Sequence, residues 1–109
     1  MERYSVNISR QARADMRGIL HYIAMHLREP STAEHTLDRL EETVSSLAVM
    51  PKRFALVPDS CLAAAGFRMT SVGNYLVFYT LDEEKKVVNI SRVLNGRQNW
   101  TELLTHELS

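Results

Sequence analysis

The sequence predicts an α+β fold in the order β-α-α-β-β-β with a short C-terminal helix. A two-helix antiparallel hairpin would pack on one face of a small, mostly antiparallel sheet. Three observations predict it. Residues 4–8 alternate apolar and polar side chains, the period of a strand with one buried face. Residues 10–50 hold two stretches of apolar residues at helical spacing. From Phe67 to Arg97 three β-rich segments follow one another, separated by tight turns, with an arginine in or just after each turn region.

Each element can be justified in turn. Tyr4, Val6 and Ile8 form the buried side of the first strand. Ser9 stands where a helix N-cap would be, its hydroxyl free to accept from a first-turn N–H. Ala12, Met16, Ile19, Leu20, Ile23 and Leu27 then define one apolar stripe, and Arg10, Arg13, Arg17 and His21 fall away from it. Gly18 interrupts this helix at a cost of about 1 kcal/mol against alanine, which suggests close helix packing. Pro30 stops the pattern, and Ser31-Thr32-Ala33-Glu34 reads as a capping box opening a second helix. Its stripe is Ala33, Leu37, Leu40, Val44 and Leu47; its opposite side carries Glu34, Asp38, Glu41 and Glu42. Pro51 ends it. The short link makes the two helices antiparallel neighbours.

Residues 52–66 read as irregular, with Phe54, Leu56 and Val57 as a short edge segment or as packing. Phe67 to Val72 is the next strand. Gly73-Asn74 is a two-residue hairpin signal, since glycine accepts positive φ at little cost. Tyr75 to Leu81 is the most strand-like run; Asp82 to Lys86 is a charged turn; Val87 to Leu94 is the last strand. Asn95-Gly96 breaks it, and Asn99 to His106 forms a short helix anchored by Trp100, Leu103 and Leu104.

The chain of 109 residues suffices for one compact domain, 1–109, and not for two. Its 45% hydrophobic content is normal for a globular protein and argues against a disordered chain. Thirteen basic and 13 acidic residues give a net charge of zero, which argues against gripping a phosphate backbone over the whole surface. The charges are segregated, however: residues 1–28 hold five arginines against two acids, and residues 29–59 six acids against three bases. A single cysteine, Cys61, allows no internal disulfide and fits a reducing cytoplasm. No apolar run approaches the roughly 18 residues that would cross a bilayer, and the N-terminus does not read as a signal peptide. A soluble cytoplasmic protein is the expectation.

No pair of the four histidines has i, i+4 spacing and no Cys/His cluster occurs, so neither a metal nor a cofactor is expected. The glycines are isolated, without a phosphate loop, and spacing picks out no catalytic residues. The candidate binding residues are therefore the basic and phenolic groups around the sheet: Lys52, Arg53, Arg68, Arg92, Arg97 and Tyr75. By strand parity Arg92 shares the face of Val88, Ile90 and Leu94. There it needs either an internal carboxylate, such as Asp15, or a ligand. Arg68 and Arg97 lie near turns and suit partner or nucleic-acid contact. Tyr75 and Tyr79 share a face with Val77 and read first as core, and Lys52-Arg53 reads first as a solvated loop pair.

The element order, Gly66-Phe67-Arg68, the Asn74-Tyr75-Leu76-Val77-Phe78-Tyr79 strand and the Arg92-Val93-Leu94-Asn95-Gly96-Arg97 ending together resemble the RelE/ParE toxin superfamily of bacterial type II toxin–antitoxin systems. The opening Tyr4 to Ser9 with Ala12, Asp15 and Ile19, and Trp100 after the Gly-Arg step, extend the resemblance over nearly the whole chain. It implies a toxin neutralised by a cognate antitoxin that wraps it. The Arg92 to Arg97 ending and the Val72-Gly73-Asn74 hairpin look more like the ParE side, whose members bind and poison DNA gyrase. The alternative is a RelE-like, metal-independent nuclease that cuts mRNA on the ribosome. Nuclease members put an arginine at the position of Leu76 and a tyrosine or His-Tyr pair near the C-terminus. Here the nearest residues are Trp100 or Leu103, which cannot transfer a proton in that role, although Arg97 matches a basic position of that group. A homodimer of the free chain is among the states the sequence allows.

Overall fold

The computed structural model describes residues 2–108. The element order is β1 (Ser5–Ile8), α1 (Arg10–His21), α2 (Pro30–Ser46), α3 (Ser60–Ala64), β2 (Arg68–Val72), β3 (Tyr75–Asp82), β4 (Val87–Asn95) and α4 (Trp100–Glu107). A π-helical turn, Tyr22–His26, continues α1, and a 3-10 turn, Pro51–Arg53, follows α2. The four strands form one sheet in the order β1-β4-β3-β2. Two hairpins make β2-β3 and β3-β4 antiparallel, whereas β1 lies parallel to β4, with Ser5 opposite Val87 and Ile8 opposite Ile90.

The sheet is covered on both faces. On one side Ala12 of α1 and Leu40, Val44 and Leu47 from α2 and its end meet Val72, Val77, Tyr79, Val88, Ile90 and Val93. On the other, Leu62 of α3 and Leu104 of α4 meet Phe78 and Leu94, joined by Trp100, Leu103, Met69 and Leu76. Strand alternation explains the division: Tyr75, Val77 and Tyr79 point to the hairpin, and Leu76 and Phe78 point away.

The local chemistry accounts for most boundaries. Ser9 caps α1, its Oγ accepting from Ala12 N at 3.0 Å. Asn99 caps α4 in the same way. The second helix starts one residue before the expected capping box. Its N-cap is Glu29, which makes no side-chain bond, and Pro30 occupies the first helical position. Proline's fixed φ suits that position, and its missing N–H would find no helical acceptor there. Residues 52–66 are also more ordered than expected. The Asp59 carboxylate accepts from Leu62 N at 2.9 Å and starts α3, and Leu56 bridges Arg68 beside β2. A five-residue helix is too short to show an apolar period, which is why it was not legible.

Candidate functional site

The site is built around an irregularity in β4. Phe78 pairs with Arg92, but Tyr79 pairs with Ile90, so Ser91 is an extra residue with no opposite number. Such a bulge shifts the alternation by one. The face of Val88 and Ile90 is therefore continued by Val93, and Arg92 turns to the other side with Phe78 and Leu94. This corrects the strand-parity expectation, which assumed an unbroken strand.

Past Ile90, β4 has lost its parallel neighbour, because β1 ends at Ile8. The first turns of α1 take over as the cover of this open edge. Ser9 Oγ donates to Ser91 O at 2.9 Å. Asp15 Oδ2 accepts from Val93 N at 3.0 Å. The same carboxylate holds Arg92 at two points, with Nε donating to Oδ2 at 2.8 Å and Nη2 to Oδ1 at 2.9 Å. Glu107 of α4 lies 3.6 Å from Arg92 Nη1. The hydrogen bond to Asp15 holds the Arg92 pKa above its usual value against the lowering by burial, and the charges of Asp15 and Glu107 add to the rise. With side chains only 13% and 9% exposed, Arg92 and Asp15 form an internal pair that ties α1 and α4 to the sheet. Of the two roles open to Arg92 from sequence, this is the internal one.

Beside the pair a cleft of about 560 Å³ opens between α1 and the β3-β4 ends. Ala14, Gly18 and Ile19 form its helical wall, Val93 and Asn95 its sheet wall, and Tyr22, Tyr75, Arg97 and Gln98 its rim. A Cβ on Gly18 would meet nothing within 4 Å. This glycine therefore widens the cleft and does not serve the close helix packing inferred from sequence. Burial, then the neighbouring Tyr22, pushes the Tyr75 phenol up from 10.0. Tyr22 and Leu27, both about half exposed, extend the same depression past Gly73 and Asn74 toward Thr32, Thr36 and Arg39.

The remaining candidates lie elsewhere. Arg68 faces Tyr79, four residues along β3 from Tyr75, or roughly 13 Å at strand spacing. Its Nη1 donates to Phe54 O at 2.6 Å and Lys52 O at 3.3 Å. Arg53 donates to Val49 O at 2.7 Å and to Ser46 O and Met50 O at 3.2 Å, and so caps the free carbonyls at the end of α2. Lys52 pairs with Glu83. The six candidates thus fall into three places: Tyr75 and Arg97 at the cleft, Arg92 locked behind it, and Lys52, Arg53 and Arg68 around the 50–54 loop. Sequence reasoning missed Gly18, Tyr22, Asn95 and Gln98. Gly18 and Asn95 had been noted only as structural punctuation, and Tyr22 carried a signal as an aromatic lying off the apolar stripe of its helix.

Residues 6–100 match the family described as the ParE toxin of type II toxin–antitoxin systems, parDE. Among curated protein sequences none matches the chain significantly. Solved structures share the fold. One is a chromosomal ParDE toxin–antitoxin system from P. aeruginosa, 21% identical over 84% of this chain and 95% of the other, with a TM-score of 0.66. Another is the RelBE2 toxin–antitoxin complex from Mycobacterium tuberculosis, 24% identical over 87% and 93%, with a TM-score of 0.61. A third is the archaeal RelE–RelB complex from Pyrococcus horikoshii OT3, 17% identical over 87% and 98%, with a TM-score of 0.58.

Proposed function

This chain belongs to the ParE toxin family of type II toxin–antitoxin systems, and from that premise we propose that it arrests growth by binding a protein target, DNA gyrase, until a co-encoded antitoxin neutralises it. The observation that carries the reading is the family match over residues 6–100. The packing supports it. Leu76, Trp100 and Leu103 stand where the nuclease resemblance calls for charged or proton-transferring groups, and all three belong to the apolar cluster beneath α4. Trp100 lies against Phe78 with ring centroids 5.3 Å apart.

We assign partner contact to Arg97 and Tyr75 at the cleft rim. Lys52, Arg53 and Arg68 form a second basic surface, of which Lys52 and Arg53 are exposed. The antitoxin covers the cleft with an amphipathic or acidic segment. The structural neighbours, named as toxin–antitoxin assemblies, support such a partner here.

A supercoiling assay with the purified chain tests the target. Inhibition of gyrase that the neighbouring gene product reverses is the expected result. No inhibition at excess toxin, together with codon-linked cuts in mRNA by primer extension, would replace the gyrase reading with the ribonuclease one. Failure of the two gene products to co-purify would remove the antitoxin.

A further inference from the structure

The hairpin of α1 and α2 turns an outer surface to solvent whose charges form no ion pair among the described residues. On α1, Arg10, Arg13, Arg17 and His21 are all exposed and fall within an arc of about 80° at 3.6 residues per turn. On α2, Glu34, Asp38, Glu41 and Glu42 are exposed within an arc of about 100°. The ion pairs of the described residues include none of these side chains. Within each row, neighbours are three or four residues apart, where like charges repel along a helix. Arg10 and Arg13 also occupy the first turn of α1, which holds no acid, so they oppose the helix dipole as well. Each row thus repels itself along its own helix, and no ion pair among the described residues closes either of them.

The rows lie side by side on one surface. Because α1 and α2 run antiparallel about the link at Leu27–Glu29, Arg17 stands level with Asp38 and Arg13 with Glu42, to within a turn. A polyanion laid on the basic row would meet the acidic row one helix diameter away, about 10 Å. The surface calls for a partner with the same two rows in reversed order. A second copy of this chain offers that pattern: a two-fold axis parallel to the helices lays α1 of each protomer antiparallel on α2 of the other. Both contacts then join basic to acidic rows at matching heights, as an isologous interface requires.

We propose that the outer face of the α1–α2 hairpin is a self-association surface, and that free toxin forms a salt-sensitive dimer through it. Ala14 and Gly18 of the cleft wall lie beside the basic row on α1; self-association is read on the free chain, so its outcome is separate from the choice of target. With charged rims and little apolar area, its affinity is modest and falls with ionic strength.

The test uses the full chain in sedimentation velocity. Wild type should be dimeric at about 50 mM salt and weaken about tenfold or more by about 500 mM. Two charge reversals follow: R13E with R17E makes the α1 row net acidic beside the acidic α2 row, and D38R with E41R and E42R makes the α2 row net basic beside the basic α1 row. Each variant alone should be monomeric at low salt, with the circular dichroism spectrum and unfolding midpoint showing that it is folded. Mixed one to one, the two should form a heterodimer, because the facing rows are again opposite in net sign. A monomeric wild type at low salt, a dimer that survives either reversal, or a mixture that stays monomeric would each overturn the proposal. So would a dimer that persists unchanged at high salt.

Discussion

At the scale of single residues, Asp15 matters most. One carboxylate accepts from the Val93 amide and from both Nε and Nη2 of Arg92. Removing one member of a mostly buried pair leaves the other desolvated and unmatched. Asp15→Asn should cost about 2–3 kcal/mol in urea unfolding, and Asp15→Ala more, since the amide bond is lost as well. The double variant Asp15→Ala/Arg92→Met should cost less than the sum of its parts, because no lone charge remains. Tyr79 gives a second test. Its hydroxyl donates to Pro51 O at 2.7 Å, and Tyr79→Phe should lose about 1 kcal/mol at neutral pH. Burial raises the phenol above 10.0, with Arg68 and Arg53 partly opposing. A raised pKa in the folded state means that the unfolded chain ionises first. Stability is therefore full below about pH 10 and declines above it. The difference in stability between about pH 8 and about pH 10.5 should be smaller in Tyr79→Phe.

At the scale of elements, what was legible depended on length and regularity. Both long helices announced themselves through apolar stripes, and the β3-β4 hairpin through its charged turn. The short α3 had too few residues for a period. The bulge at Ser91 was hidden for a different reason. A strand read from sequence is assumed to alternate, and nothing in Ile90-Ser91-Arg92-Val93 marks the extra residue. The face of Arg92 was misread as a result, although Asp15 was already the partner considered for it. Tyr75 and Arg97 were singled out from sequence, and the structure places both at the cleft. Gly18 lines the cleft, and its meaning changes once the space beside it is seen. Gly18→Ala should raise stability by about 1 kcal/mol, measurable as a higher unfolding midpoint. Gly18→Leu should leave the chain folded but obstruct the cleft, lowering antitoxin affinity in titration calorimetry. Undiminished affinity would separate the antitoxin site from this cleft.

At the scale of the whole molecule, two apolar clusters share one sheet, and the cationic groups sit at opposite parts of its rim. Loss of function should therefore divide by location. Arg97→Glu is exposed and makes no side-chain contact that holds the fold; it should abolish growth arrest with the unfolding midpoint within about 0.5 kcal/mol of wild type. Arg53→Ala should instead loosen the end of α2 by about 1 kcal/mol and reduce activity only in proportion to that loss. Growth assays paired with denaturation curves distinguish the two.

The parallel pairing of β1 with β4 also sets a schedule. Asn7 bonds to Asn89, 82 positions later, and β1 has no other neighbour in the sheet. During synthesis β1 is made before β4 and waits for it to leave the exit tunnel. Until then the open edge and the Asp15 clamp have nothing to engage. The cleft, whose sheet wall is Val93 and Asn95, is therefore completed only once β4 has emerged, late in the order of assembly.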